Sequence, residues 1–373
     1  MRFQVSKPVL AGQEKEYVLD AIDSGWISSN GPYIARFERL LDEFLGVEGV
    51  IAVCNGTAAL HVAYLGLGLA AGQEVIVPTL TYVATANAVT YCGARPVFAE
   101  CDRESWNVSL ATIAAAWSSR TVGVSLVHLY GRPAPIEEIA ALARARGAWL
   151  LEDCAESLGA TWRGKATGTF GDASMFSFYG NKTISTGEGG AVYLREARRR
   201  EVARMLRGQG MDPRRRYWHP VIGYNYRMTN IAAAIGVGQM ERVEHHLAER
   251  RRIAAAYAMR LRSLAAEGLL QLPGEDAGSV NSHWLYSIVL AGGGAPRRAR
   301  IQEHLAARGI ETRPFFVPMH QLPMYRGSER FPVAERIADH GLNLPTYTGL
   351  SDRDIDEICD GLSDAVTRTA EVR

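Results

Sequence analysis

The chain has 373 residues, more than the roughly 250–300 that a single hydrophobic core supports, so two domains are expected. Hydrophobic residues make up 47% and charged residues 22%, a composition that excludes disordered, collagen-like and membrane-spanning classes. With a formal net charge of +1, nothing in the overall balance calls for nucleic acid as a partner.

From about residue 50 the pattern alternates short apolar runs with amphipathic stretches. Strands are predicted at Val50–Cys54, Glu74–Val77, Pro96–Glu100, Val122–Val127, Trp149–Glu152, Ala173–Phe178 and Ala191–Leu194. Helices are predicted between them at Thr57–Leu69, Tyr82–Tyr91 and Ile136–Arg146. Strands spaced by helices of this length indicate an α/β fold with a mostly parallel sheet covered on both faces. After about residue 230 the character changes. A long Ala- and Arg-rich helical stretch, Ile231–Ala265, is expected to break near His245-His246. Strand Leu285–Leu290, helix Pro296–Arg308, strand Glu311–Phe316 and a last helix from Ser351 then outline a smaller α+β domain. The expected division is 1–240 and 241–373, with residues 1–30 packing on the smaller unit.

Five scattered cysteines with no Cys-x-x-Cys pair argue against a zinc knuckle or a disulfide framework and suit a reducing compartment. His245, His246 and His283 lack metal-ligand spacing, and no metal is expected. Met1–Val5 carries no apolar leader, and no apolar run reaches ~18–20 residues, so a soluble cytoplasmic protein is expected.

Ligands of open α/β sheets gather where strands end, so the polar residues just past each strand are the candidates for chemistry. After the first strand, Asn55 can cap a helix, Gly56 lets backbone approach a ligand, and the free N–H groups attract phosphate. Read alone, this is equally an ordinary capped helix start. Past Trp149–Glu152 stand Asp153 and Glu156. A carboxylate at the end of an apolar strand is costly without a partner, and a pyridinium nitrogen is one such partner; a structural acid capping the next turn is another. In Ser177–Gly190 a single lysine, Lys182, stands among small residues and glycines just past a strand. A lysine enclosed in this way loses basicity and forms a Schiff base with an aldehyde. Gly66-Leu67-Gly68 comes at a helix end before a strand, the reverse of the order a dinucleotide-binding turn requires. No Walker loop is present.

Asn55–His61, Pro78–Asn87, Glu152-Asp153 and Ser177–Gly190 together resemble the DegT/DnrJ/EryC1/StrS sugar aminotransferases. Further matches, over Arg207–Pro213, Tyr217-Trp218, Gly223–Asn230 and Pro318–His320, extend the likeness over nearly the whole chain in compatible order. The resemblance implies the type I fold of pyridoxal 5'-phosphate aminotransferases, with a large domain of mixed, mostly parallel sheet and a smaller C-terminal domain. It also implies a homodimer with shared active sites. By residue, Lys182 matches the Schiff-base lysine and Asp153 the partner of the pyridine nitrogen. Gly56, Thr57 and Ser177 match phosphate-binding positions, and Asn225 a residue reaching the phosphate of the neighbouring subunit's cofactor. Tyr82 matches the aromatic position over the ring, and Glu156 a residue near the ring oxygen or the sugar. One branch of the family carries histidine in place of the lysine and performs dehydration, and Lys182 argues against that branch. The implied reaction moves an amino group from glutamate to a nucleotide-linked keto-sugar, with local motifs pointing to GDP-4-keto-6-deoxymannose. UDP- or dTDP-linked 4-keto-6-deoxy sugars, or a GDP-linked 3-keto sugar, fit the same catalytic parts. A non-catalytic binding regulator is the remaining alternative, and the presence of both Lys182 and Asp153 speaks against it. Arg215, Tyr217, Trp218 and His320 are candidate substrate contacts; a plain surface loop and a structural histidine are the competing readings.

Overall fold

The computed structural model describes residues 1–370. Two helices open the chain, α1 (Glu14–Asp23) and α2 (Pro32–Leu45). Helix α2 follows from its sequence. Pro32 occupies the first turn, Tyr33, Phe37, Leu41 and Leu45 recur every four residues and are buried, and Gly46 ends the helix at φ 68°. The alternating region then runs β1 (Ile51–Val53), α3 (Gly56–Leu67), β2 (Glu74–Pro78), α4 (Ala84–Tyr91), β3 (Arg95–Ala99), α5 (Leu110–Ala115), β4 (Thr121–Val127), α6 (Ile136–Ala145) and β5 (Trp149–Asp153). Two short strands, β6 (Thr161–Trp162) and β7 (Lys165–Ala166), form a hairpin before β8 (Ala173–Ser177), β9 (Gly190–Leu194) and α7 (Ala197–Arg207). Helices α8 (Asn230–Met240) and α9 (Val243–Ala266) follow. The rest of the chain forms β10 (Leu270–Gln271), β11 (Ser279–Val280), β12 (Tyr286–Leu290), α10 (Gly294–Ala307), β13 (Arg313–Pro314), α11 (Pro332–His340), β14 (Gly341–Leu344) and α12 (Asp352–Ala370).

Seven strands make the large sheet in the order β1-β9-β8-β5-β4-β2-β3. The pairs among β3, β2, β4, β5 and β8 are parallel, and β9 runs antiparallel to both β8 and β1. Helices cover both faces, so β2 and β9 are buried along their whole lengths. Buried Glu74 in β2 is no exception to the cost of burying charge, because Arg95 (2.7 Å), Arg120 (2.5 Å) and Ser118 hold its carboxylate.

The register sets up the site. Asp153 pairs with Met175, and both Ser177 and Val53 pair with Gly190. The ends of β5 and β8 and the turn after β1 therefore meet along one edge of the sheet.

The second sheet, in the order β10-β12-β14-β13, is antiparallel and packs with α9 and α12 around Ile253, Tyr257, Tyr286 and Leu362. Residues 2–5 join this region. Phe3 pairs with Ile310, and the amide of Thr346 donates to the carbonyl of Val5 (2.8 Å). Helix α1 instead lies against α8. The helical stretch after residue 230 breaks at Glu241-Arg242 rather than near His245-His246, because Arg242 leaves helical geometry (φ −119°, ψ 10°). Only Arg313 and Pro314 of the predicted strand Glu311–Phe316 pair in the sheet. No helix among the described residues is long and apolar enough to cross a membrane.

Candidate active site

A cavity of about 630 Å³ opens at this sheet edge, between the large sheet and the residues that flank β12, β13 and β14. Gly56, Thr57, Tyr82, Asp153, Glu156, Ser177 and Lys182 all line it.

At one end lies the start of α3. Asn55 accepts from the amide of Ala58 (2.8 Å), which leaves the amides of Gly56 and Thr57 beyond the reach of intrahelical carbonyls. A methyl group on Gly56 would approach Cβ of Ser177 to 2.9 Å and its Oγ to 3.1 Å, so the helix start and the end of β8 touch only because residue 56 is glycine. Two free amides, a positive helix end and a hydroxyl make a cradle for an anion.

Asp153, which also lines the cavity, is only 5% exposed. Its Oδ2 accepts from Thr85 Oγ1 (2.7 Å) and its Oδ1 from the amide of Ala155 (3.1 Å). Burial pushes its pKa up against the pull of these two bonds and of the Lys182 charge. Glu152, one residue earlier and so on the opposite face of the strand, is buried too. It accepts from the amides of Gly168, Phe170 and Gly171 at 2.7 Å each. Its role is structural, tying the turn after β7 to the sheet.

Lys182 follows β8 in a turn closed by its amide on the carbonyl of Tyr179 (2.9 Å). Its Nζ lies 3.8 Å from the centroid of the Trp284 ring. Desolvation lowers its pKa, while Glu156 and Asp153 pull the other way. Glu156, buried, accepts from the amide of Tyr130 (2.6 Å), and burial raises its carboxyl to about 7. The set comprises an anion cradle, an amine of reduced basicity and a buried carboxylate in want of a cation. These residues fit a ligand with a phosphate, an aldehyde and a protonatable ring nitrogen, as pyridoxal phosphate has.

The family model described as the DegT/DnrJ/EryC1/StrS aminotransferase family matches residues 8–363. The chain belongs to this family. It is a pyridoxal phosphate-dependent sugar aminotransferase. Among curated relatives, the GDP-perosamine synthase of Escherichia coli O157:H7 is 44% identical over 361 residues, covering 96% of this chain and 97% of that one. That of Caulobacter vibrioides is also 44% identical, with 96% of each chain covered. Among solved structures, the aminotransferase TlmJ from Streptoalloteichus hindustanus superposes with a TM-score of 0.93 at 31% identity, covering 99% of this chain and 100% of that one.

The structure keeps the other candidate residues of this aminotransferase apart from its cavity lining. Asn225 is exposed, and its Oδ1 accepts from the Arg227 guanidinium (3.2 Å). Arg215 lies over the Trp218 ring (4.3 Å), and Tyr217 is 75% exposed. His320 is buried, one ring nitrogen 2.7 Å from Thr79 Oγ1 and the other 3.1 Å from Glu335. Both nitrogens are thus engaged away from the cavity, the geometry of a structural histidine. Residues not anticipated from the sequence also line it, among them Thr85, Tyr130, Trp284, Arg313, Phe316 and Asn343. Of these, Thr85 lies inside a motif that carries the family resemblance and Tyr130 follows β4 of the large sheet, whereas Trp284, Arg313, Phe316 and Asn343 arrive by folding of the C-terminal sheet onto the large one.

Proposed function

We propose that this chain transfers an amino group from glutamate to the ketone of GDP-4-keto-6-deoxymannose, producing GDP-perosamine. The observation that carries the reading is the 44% identity to three GDP-perosamine synthases over at least 95% of this chain. When bound, pyridoxal phosphate supplies the aldehyde that carries the amino group and a ring that accepts electrons from the reacting carbon. In this reading Gly56, Thr57 and Ser177 hold the phosphate, and Asp153 keeps the ring nitrogen protonated through a charge-assisted bond. Tyr82 covers the ring face, and Glu156 orients the ring oxygen or the sugar. The Lys182 amine anchors the aldehyde, and its Nζ then takes a proton from the donor's α-carbon and later delivers one to the sugar carbon. An amine of lowered basicity suits both directions of transfer near neutral pH.

The same reading takes the protein as a cytoplasmic homodimer in which exposed Asn225 reaches the partner's phosphate site. It divides the chain at residue 240, with the cavity between the two units. The test is mass spectrometry of a reaction of pure protein, pyridoxal phosphate, glutamate and GDP-4-keto-6-deoxymannose, with Lys182→Ala in parallel. The expected product has the mass of a GDP-linked amino-dideoxyhexose and is absent from the variant. Amination of only a UDP- or dTDP-linked 4-keto sugar would overturn the substrate assignment.

A further inference from the structure

Lys182 is held by a residue that nothing in its own segment suggests. Trp284, just ahead of β12 and 4% exposed, donates its indole N–H to the carbonyl of Asn181 (2.7 Å), the residue directly before the lysine. Its ring face lies 3.8 Å from the lysine Nζ. One side chain thus grips the lysine at both ends, at the backbone and at the charge.

Trp284 is itself fixed from two directions. Its carbonyl accepts from Arg250 Nη1 (2.7 Å), which also reaches the carbonyl of Thr346 (3.1 Å). Arg250 is 2% exposed, and no carboxylate pairs with it among the described residues. Burying a guanidinium without an anion is costly, and here one terminal nitrogen, Nη1, holds backbone that includes Trp284, while Nε is buried without a partner among the described residues. On the other side, Tyr130 stacks on the Trp284 ring at 6.2 Å and 21°. The Tyr130 backbone is held at φ 54°, with its amide on Glu156. The wall behind Lys182 is therefore rigid, and its innermost surface is an aromatic face.

We infer that Trp284 is a positioning residue for Lys182, aiming the amine into the cavity and stabilising its protonated form through the indole face; the inference rests on Lys182 being the reactive lysine. An aromatic face attracts an ammonium, most strongly when the pair is shielded from water. The charged groups facing the lysine are Asp153 and Glu156, from the end of β5, and Glu188 and Arg313 line the same cavity. Desolvation pulls the amine toward neutrality, and the indole face together with the two acids resists it. The balance sets how readily Nζ releases and recovers a proton.

The test uses full-length protein freed of cofactor. Acetic anhydride labelling of Lys182 is followed against pH by peptide mass spectrometry, in wild type, Trp284→Leu and Trp284→Phe. Loss of the ring in Trp284→Leu is expected to lower the labelling midpoint by ~0.4–1.5 pH units, the span of cation–π strengths converted at one pH unit per 1.36 kcal/mol. Trp284→Phe keeps a face and loses the N–H, so a smaller fall in the same direction is expected. In the loaded enzyme the leucine variant is expected to lose 10-fold or more in kcat, with KM for the sugar within about 3-fold. Unchanged midpoints in both variants overturn the inference, and should the leucine variant fail to fold, the phenylalanine variant decides alone. The midpoint does not depend on which sugar is aminated. A shifted midpoint in a protein that aminates no GDP-linked sugar therefore sinks the proposed function and leaves this inference standing.

Discussion

Thr85, in the first turn of α4, donates its hydroxyl to Oδ2 of Asp153 across 2.7 Å, and both side chains are buried. The bond leaves the strand-end carboxylate one oxygen tied to a helix and the other to the amide of Ala155, so its orientation is set before any ligand arrives. Thr85→Val keeps the shape and deletes the donor. The buried oxygen loses its partner, which costs about 1–3 kcal/mol, and the Asp153 pKa climbs further. The cofactor-free variant is expected to melt lower and to bind pyridoxal phosphate 10-fold or more weakly, with Thr85→Ser restoring both. Thermal melts and cofactor titrations check this, and a valine variant indistinguishable from wild type would show that the bond carries no load.

Glu156 provides a pH signature. Its carboxyl, raised to about 7 by burial, binds its proton more tightly in the folded chain than in the unfolded one, where the ordinary value is 4.5. Folding therefore takes up a proton in this window, and the Glu156 contribution to stability falls as pH rises from about 4.5 to 7, by at most about 3 kcal/mol. His246 and His283 act in the opposite sense. Burial depresses each to about 4, so their contribution grows as pH rises from about 4 to 6.5. Comparing wild type with Glu156→Gln separates the two. The melting temperature of the cofactor-free wild type, minus that of the variant, is expected to decline steadily between pH 4.5 and 7. A flat difference would mean that Glu156 titrates normally.

The large sheet is readable from the chain because each of its strands is an apolar run followed by a turn or an amphipathic helix. For the same reason Asp153, Gly56 and Lys182, at or just past strand ends, can be picked out, whereas Ser177, the last residue of β8, is marked only by the family resemblance; all four line one cavity. The pieces that escape such reading are short or composite. Strands β6, β7 and β11 have two residues each and no measurable period, and β14 includes Gly341 and Asn343, poor strand formers by local preference. Trp284 and Arg313 carry no local pattern that marks a site. They reach the cavity only because the second sheet packs against the first, a relation between segments some 100 residues apart.

Gly190 offers a test of the phosphate cradle without substituting any residue of it. A methyl group there would lie 2.6 Å from the carbonyl oxygen of Asn55 and 2.9 Å from the amide nitrogen of Gly56, and neither can move without shifting the start of α3. Gly190→Ala is expected to weaken pyridoxal phosphate binding at least 10-fold, about 1.4 kcal/mol or more. Gly327→Ala, where an added methyl meets nothing within 4 Å, serves as the neutral control. Equal cofactor affinity in the two variants would show that the loop yields without harm to the cradle.

His320 separates a substrate contact from a structural tie. Its ring joins Thr79, just past β2, to Glu335 on α11, and Glu335 is held in turn by Arg330 (2.6 Å). Arg330 and the hydrogen bonds to Phe331 and His320 hold the Glu335 carboxyl down at about 2, so it accepts from the imidazole as an anion at any working pH. His320→Ala removes both links and is expected to cost about 1–3 kcal/mol of stability. Because neither ring nitrogen faces the cavity, kcat and the KM for the sugar nucleotide are expected to stay within about 3-fold of wild type when assayed well below the melting temperature. A KM raised 10-fold or more at unchanged melting temperature would return His320 to the substrate site, requiring the segment around Pro318–Gln321 to turn its side chain inward when the sugar binds.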